Sequence, residues 1–495
     1  MFSVVFLTAF AAPVAPPASY AVVFDGGSTG TRVYVYEYRF EPGAPLPTLR
    51  ADRGWNKKVK PGLSTFADSP RGVRDGYMTP LLDFARDIVP PAARARATVL
   101  LRATAGMRLV PPAAQRQIYD GLFEAVRAHG AFSPARELFG TLSGEDEGVF
   151  GWLSVQQLLL QARRIAPSQL GEVGALDLGG GSTQITFATP PGARDAVTAS
   201  APLSAAGRAV PVFTRSHLGF GNKQALAALT ASEAASCLAD GANASWEPAK
   251  RWELKTDGPP VRQLHGRGAF ARCDAAVQRV LGGLQRGAQP PVGGRPFVAM
   301  SLFYYAVHFA VAAGHLRAPV PAPGAGAGET GGAAGAAGAA GAAPSSSSTY
   351  SVRELRRAAA ALCAEDGAVL ERRMRGVDPL TPDEAIRWRC FDLTYAAALL
   401  SRGYGFADDA AAVQFLGEID GSEVEWTRGA LLAHLMGAAT GRARGAALLE
   451  QIGGLAMVAL SFALLIVLRR RISASKEKFG GHPPYGRLED DRGRP

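Results

Sequence analysis

The sequence predicts an α/β protein of two lobes with a C-terminal transmembrane helix. Three observations carry this. A pattern of strand, Asp, Gly/Ser/Thr turn and strand occurs twice, at Asp25 and again at Asp177. The 495 residues, 47% of them hydrophobic, suffice for roughly three domain-sized units or one large two-lobed body at about 150 residues per unit. Finally, Ile452 to Leu468 carries no charge and is followed by Arg469, Arg470 and Arg471.

In the first copy, Tyr20 to Phe24 is a short apolar run of strand type leading into Asp25-Gly-Gly-Ser-Thr-Gly-Thr-Arg32. The β-rich stretch Val33 to Tyr38 follows as a second strand. In the second copy, Val173 to Leu176 leads into Asp177-Leu-Gly-Gly-Gly-Ser-Thr-Gln184, and Ile185 to Phe187 continues as strand. Neither copy is a P-loop or a dinucleotide fingerprint, because Gly-Lys-Ser/Thr is absent and a strand, not a helix, follows the glycines. A tight turn of Gly, Ser and Thr directs backbone N–H groups and hydroxyls into one concavity suited to phosphate oxygens. An Asp at each strand end offers hard oxygen to Mg²⁺ or Ca²⁺, directly or through water. Either copy alone also reads as an ordinary Gly-rich hairpin with an Asx-turn; the duplication favours two turns facing each other across a cleft.

Two segments lie between the copies. Val99 to Leu109 runs from a strand into a small-residue turn bearing Thr104 and Arg108, either a plain connection or a hydroxyl and a guanidinium lining the cleft. Leu142 to Trp152 enters a helix with Ser143 as N-cap. Glu145, Asp146 and Glu147 complement the helix dipole there, or one of them is a general base aimed into the cleft.

The flanks and composition set further limits. The excess of 53 Lys and Arg over 43 Asp and Glu is dispersed, and Arg supplies 45 of the 53, so no nucleic-acid partner is expected. As a helix the uncharged run 452–468 spans about 26 Å, with snorkelling arginines extending its reach across a hydrocarbon core of about 30 Å, and the tail 469–495 then faces the cytosol. Residues 1–18 are a hydrophobic segment, either a signal or a truncated anchor, without a basic n-region. Ala318 to Ser348 is low-complexity and reads as a flexible insertion. Four cysteines allow three connectivities; they fall as two local pairs, Cys237 with Cys273 and Cys363 with Cys390, consistent with disulfides in an oxidising compartment or with four free thiols. Asn243-Ala-Ser245 is a glycosylation sequon.

These motifs together resemble the apyrase family, the nucleoside triphosphate diphosphohydrolases. Five ordered regions carry the resemblance: Asp25 to Arg32, Ala103 to Leu109, Ser143 to Trp152, Asp177 to Gln184, and Cys390 to Phe406. The resemblance implies two RNase-H-like (actin-like) lobes with the active site in the cleft between them. Lobe I would comprise 19–143 with 416–445, and lobe II 144–415. It further implies stepwise hydrolysis of nucleoside tri- and/or diphosphates with Ca²⁺ or Mg²⁺. Glu147 takes the general-base role, with Ser182 and Gln184 holding the water. Asp25 and Asp177 would organise the metal's water shell, with Trp426 nearby but not a ligand. Ser28, Thr29, Gly30, Thr31, Arg32, Thr104, Gly179, Gly180 and Gly181 would bind phosphates. Tyr304 would stack on the nucleobase, opposite Arg389 where some members have an aromatic; an arginine there can also stack on a base. Gly30 stands where some cell-surface members have a histidine linked to triphosphate preference. Both cysteine pairs fit family disulfides. The expected location is a lumenal or extracellular catalytic domain, in the Golgi and endomembranes or at the cell surface. Two other readings are an actin-like kinase or chaperone ATPase, and a catalytically weak nucleotide-binding membrane protein.

Overall fold

The computed structural model describes residues 18–437 apart from 75, 191–197, 203–208, 249–260, 285–288, 319–348 and 411, together with the backbone alone of 198–202 and 209. The first sheet grows from the first Asp hairpin. Strand β1 (Ser19–Gly27) pairs antiparallel with β2 (Gly30–Arg39), placing Asp25 opposite Arg32 and Gly27 opposite Gly30. Ala21 to Phe24 are fully buried, as expected for a continuous apolar run covered on both faces. Strands β3 (Thr48–Arg50) and β4 (Asn56–Val59) add to β2. On the other side of β1 lie β5 (Thr98–Ala103) and then β6 (Phe139–Thr141), both parallel.

The second sheet repeats this plan. Strand β7 (Gly174–Leu178) pairs antiparallel with β8 (Ser182–Ala188), and β9 (Thr198–Pro202) and β10 (Ala209–Leu218) extend the β8 side. The hairpin of β11 (Asn243–Trp246) and β12 (Arg262–His265) stands apart. Strands β13 (Phe297–Ser301) and β14 (Val413–Phe415) then continue in parallel from β7. In each half the Asp-bearing strand is central, with an antiparallel partner on one side and parallel strands on the other. The duplication seen in the sequence is therefore a duplication of sheets.

One helix, Gly144–Gln161, touches both halves. Ser143 caps it by accepting from the Asp146 N–H at 2.9 Å. Two glycines set its seat against the second sheet: a Cβ on Gly144 would fall 2.2 Å from Ser216 Oγ, and one on Gly148 within 2.7 Å of the hydroxyls of Thr214 and Thr186. Its far end reaches the first sheet, where Gln161 Oε1 accepts from the Leu49 N–H at 3.2 Å. The helix 426–437 closes the first sheet, its Leu431, Leu432 and Leu435 packing on Ala21, Val23, Tyr34 and Tyr36. Both expected cysteine pairs are disulfide-bonded and no free thiol remains.

One expectation is corrected. No helix among the described residues is long and apolar enough to cross a membrane, so the expected C-terminal transmembrane helix is not supported. The run 452–468 lies outside the described residues, as do 1–17, the insertion from 319 to 348 and the tail 469–495. Of the two 18-residue helices, Pro112–His129 packs one apolar face on the first sheet's core and Gly144–Gln161 is largely buried in the globular body.

The Gly148 contact yields a test. Thr186 and Thr214 are buried and hydrogen-bonded to each other at 2.8 Å, so neither can move aside. Gly148→Ala should destabilise the chain by about 1–3 kcal/mol through overpacking, read as a lower urea midpoint. An unchanged midpoint would show that the helix is not seated by this contact.

Candidate active site

The two Asp turns meet. A Cβ on Gly180 would lie 3.4 Å from Ser28 Oγ, an ordinary contact, whereas one on Gly181 would fall only 2.8 Å from the Ala105 Cβ, so Gly181 allows an approach that a side chain would block. Between the turns is a cleft of about 250 Å³. Asp25, Ser28, Thr29, Gly30, Arg32, Thr104, Glu147, Asp177, Gly179, Gly180, Gly181, Ser182 and Trp426 all line it.

Of the three acidic residues at the helix start, Glu147 alone is buried; Glu145 is half-buried and Asp146 exposed. Glu147 Oε2 accepts from Gln184 Nε2 at 3.0 Å and pairs with the Arg108 guanidinium, which leaves Oε1 to take a proton. Gln184 also donates to Ser182 Oγ at 2.9 Å and Ser216 Oγ at 3.0 Å. Burial pushes the Glu147 carboxyl up to about 7; Arg108 works against the rise and Asp177 with it. Asp25 is likewise raised to about 7, by burial first and by Glu147 second. Burial also raises Asp177, opposed by a hydrogen bond from Ser301. Ser301 holds a positive φ of 57°, a strained conformation for a serine, where β13 ends in the cleft.

Asp25 Oδ1 and Asp177 Oδ1 are buried and accept no hydrogen bond. Such orphaned hard oxygens suit a divalent cation. Among the described residues no group of three or more ligating side chains is present, so a cation here would complete its shell with water and substrate oxygens.

Several expected site residues lie elsewhere. Thr31 points into the first lobe, fully buried, and accepts from the Tyr77 hydroxyl at 2.9 Å. Tyr304 packs on Gly417, where a Cβ would come within 2.2 Å of its ring, while its neighbour Tyr305 lines the cleft. Arg389 is buried: it donates to Asp392 Oδ2 at 3.0 Å and Thr381 Oγ1 at 2.6 Å and lies over Phe309. The cleft also contains Lys58, Glu423 and Glu425, to which the sequence assigns no role. Lys58 donates to Thr29 Oγ1 at 2.9 Å, Arg32 pairs with Glu423 at 3.3 Å, and Glu425 bonds Tyr36 and Thr427. The i, i+2 spacing of Glu423 and Glu425 just before Trp426 was the available signal for the last two.

The family model described as GDA1/CD39 (nucleoside phosphatase) matches residues 15–290 and 340–444. The chain belongs to the GDA1/CD39 family. Ectonucleoside triphosphate diphosphohydrolase 5 of Mus musculus is 30% identical over 435 residues, covering 84% of this chain and 87% of that protein. Probable apyrase 4 of Arabidopsis thaliana is 38% identical over 168 residues, 34% of this chain and 32% of the relative, so that match spans about a third of the plant protein's length. A crystal structure of nucleoside triphosphate hydrolases from Neospora caninum superimposes with a TM-score of 0.55 at 15% identity, covering 85% of this chain and 93% of that one; it bears on the two-lobed α/β fold alone. GDA1/CD39 apyrases use divalent cations, in keeping with the two orphaned aspartate oxygens.

The raised carboxyls predict a pH dependence of stability. Glu147 and Asp25 keep their protons to about 7 when folded, against 4.5 and 3.8 as ordinary values. The folded chain therefore binds more protons across that window, and the cation-free protein should lose stability as pH rises from about 4 to about 7. Glu147→Gln removes one of these groups and should raise the melting temperature in chelator at about pH 8, with little effect at about pH 4. A lower melting temperature at the higher pH would contradict the burial assigned to Glu147.

Proposed function

We propose that this chain is an apyrase that hydrolyses the terminal phosphate of nucleoside tri- and/or diphosphates by attack of a water activated by Glu147. The observation that carries this reading is the inward-turned Glu147 between two Asp-tipped turns, with Oε2 fixed by Arg108 and Gln184. A base with a pKa near 7 is matched to proton abstraction at neutral pH. Ser182 Oγ, tied to Gln184, shares the task of holding the water in line with the terminal phosphorus. The N–H groups of Gly180 and Gly181 and the hydroxyls of Ser28 and Thr29 receive phosphate oxygens from the two sides of the cleft. Lys58 and Arg32 offset the added negative charge. Ca²⁺ or Mg²⁺, held by Asp25 and Asp177 directly or through water, would supply charge neutralisation at the phosphates.

The nucleobase would lie toward Tyr305, which reaches the cleft wall. A lumenal or extracellular site of action is supported by the two disulfides, which persist in oxidising compartments. Asn243, exposed on β11, is the proposed glycan acceptor.

Phosphate release from ATP, ADP, GDP and UDP tests the reading; no release from any of them, with Ca²⁺ or Mg²⁺ present, would refute it. Glu147→Gln should lower kcat by ~10²-fold or more while nucleotide binding persists. Because the base must be ionised, kcat/KM should rise with pH and level off above about 7. Lys58→Ala should act mainly on KM, raising it severalfold.

A further inference from the structure

The second phosphate turn, Gly179 to Gly181, has no side chains to fix it. Backbone bonds from the next helix, Asn222–Ala227, hold it instead. The Asn222 N–H donates to Gly179 O at 3.0 Å, and the Lys223 and Gln224 N–H groups to Gly180 O at 3.1 and 3.2 Å. A Cβ on Gly221 would fall 2.4 Å from Gly180 C and Gly181 N, so the helix start is pressed directly against the turn. Wherever that helix start sits, the N–H groups of the turn follow.

The helix start is itself held from behind. Asn222 Nδ2 donates to Asp392 Oδ1 at 2.6 Å, and Asp392 Oδ2 accepts from Arg389 Nη1 at 3.0 Å. Arg389 Nη2 donates to Thr381 Oγ1 at 2.6 Å, whose hydroxyl donates to Asp378 Oδ2 at 2.5 Å. Arg389 and Asp392 sit one turn apart on the helix Arg389–Ala398, 3% and 5% exposed. A buried ion pair is weak evidence for stability, since the desolvation of both charges offsets their attraction. Its geometry suits a different task, because one oxygen of Asp392 serves Arg389 and the other serves Asn222.

We propose that Arg389 is a positioning residue for the phosphate-binding turn: it orients Asp392, Asp392 fixes Asn222, and Asn222 holds Gly179 to Gly181 where the phosphate and the attacking water need them. This rests on the hydrolase reading above for its kinetic consequence, though not for its structural one. Arg389 reaches the reaction through two other side chains and touches no reacting atom.

Asn222→Ala provides the cleanest test, because Asn222 is half-exposed and its loss leaves the Arg389–Asp392 pair intact. Two measurements on the full chain separate the possibilities. Hydrogen exchange in the free protein should become faster across Gly179 to Gln184 and stay unchanged in β1 and β2. In a hydrolysing wild type, kcat should fall about tenfold or more, outweighing any change in KM, at a nearly unchanged melting temperature. Arg389→Lys, which keeps one bond to Asp392, should retain more activity than Arg389→Met. Unchanged exchange over the turn would overturn the proposal, as would unchanged kcat in an active background. If the wild type hydrolyses no nucleotide, the hydrolase reading fails and the exchange rates alone decide the brace.

Discussion

Asp25, Glu147 and Asp177 share one cleft of about 250 Å³ with Glu423 and Glu425, and this crowding of carboxylates is what the surrounding structure must sustain. Glu147 and Asp177 are buried and Asp25 is half-buried, and electrostatic repulsion links Asp25 to Glu147 and Glu147 to Asp177. An isolated chain would relieve that energy by separating or neutralising the groups. Here neither aspartate can retreat, because each ends the central strand of its sheet. Glu147 is held as firmly: its helix is seated by Gly144 and Gly148, and Arg108 and Gln184 grip one of its oxygens. Folding thus maintains a deficit of positive charge, which a divalent cation would fill. Held below its full ionisation, Glu147 has a proton affinity matched to neutral pH.

The two turns are legible in the sequence because their residues are there for local reasons. Gly, Ser and Thr between two strands fit a tight hairpin, and the same pattern twice in one chain implies the same surroundings twice. Glu147 is legible only in part. Three acids in a first turn satisfy the helix dipole equally well; the choice among them comes from Gly148, whose missing side chain brings that face of the helix onto Thr186 and Thr214. The local spacing of the cysteines suggests two pairs but leaves free thiols open, and both pairs are bonded.

The limits have physical causes too. Neighbouring strand residues face opposite ways, so Arg32 enters the cleft while Thr31 is driven into the lobe. Neighbours on a helix diverge by about 100°, which places Tyr305 on the cleft wall and leaves Tyr304 against Gly417. Arg389 shows the strongest case. Its neighbour Cys390 is bonded to Cys363, and the arginine at that point is drawn inward to Asp392 and Thr381, so a side chain suited by type to a base is held in the interior. The positive φ of Ser301 leaves no trace in composition or periodicity. A charge-free run near the C-terminus measures hydropathy alone, and no membrane-spanning helix occurs among the described residues.

The stereochemistry at phosphorus is the most direct test of Glu147 as the base. A cleft lined by several carboxylates could act through a carboxylate nucleophile and a covalent phosphoenzyme, or through water alone with Glu147 as base. Hydrolysis of a nucleoside triphosphate made chiral at its terminal phosphorus with oxygen isotopes and sulfur distinguishes them. Direct attack by a Glu147-activated water predicts inversion of configuration in the released thiophosphate. Retention would require two displacements, and would contradict a general-base role for Glu147.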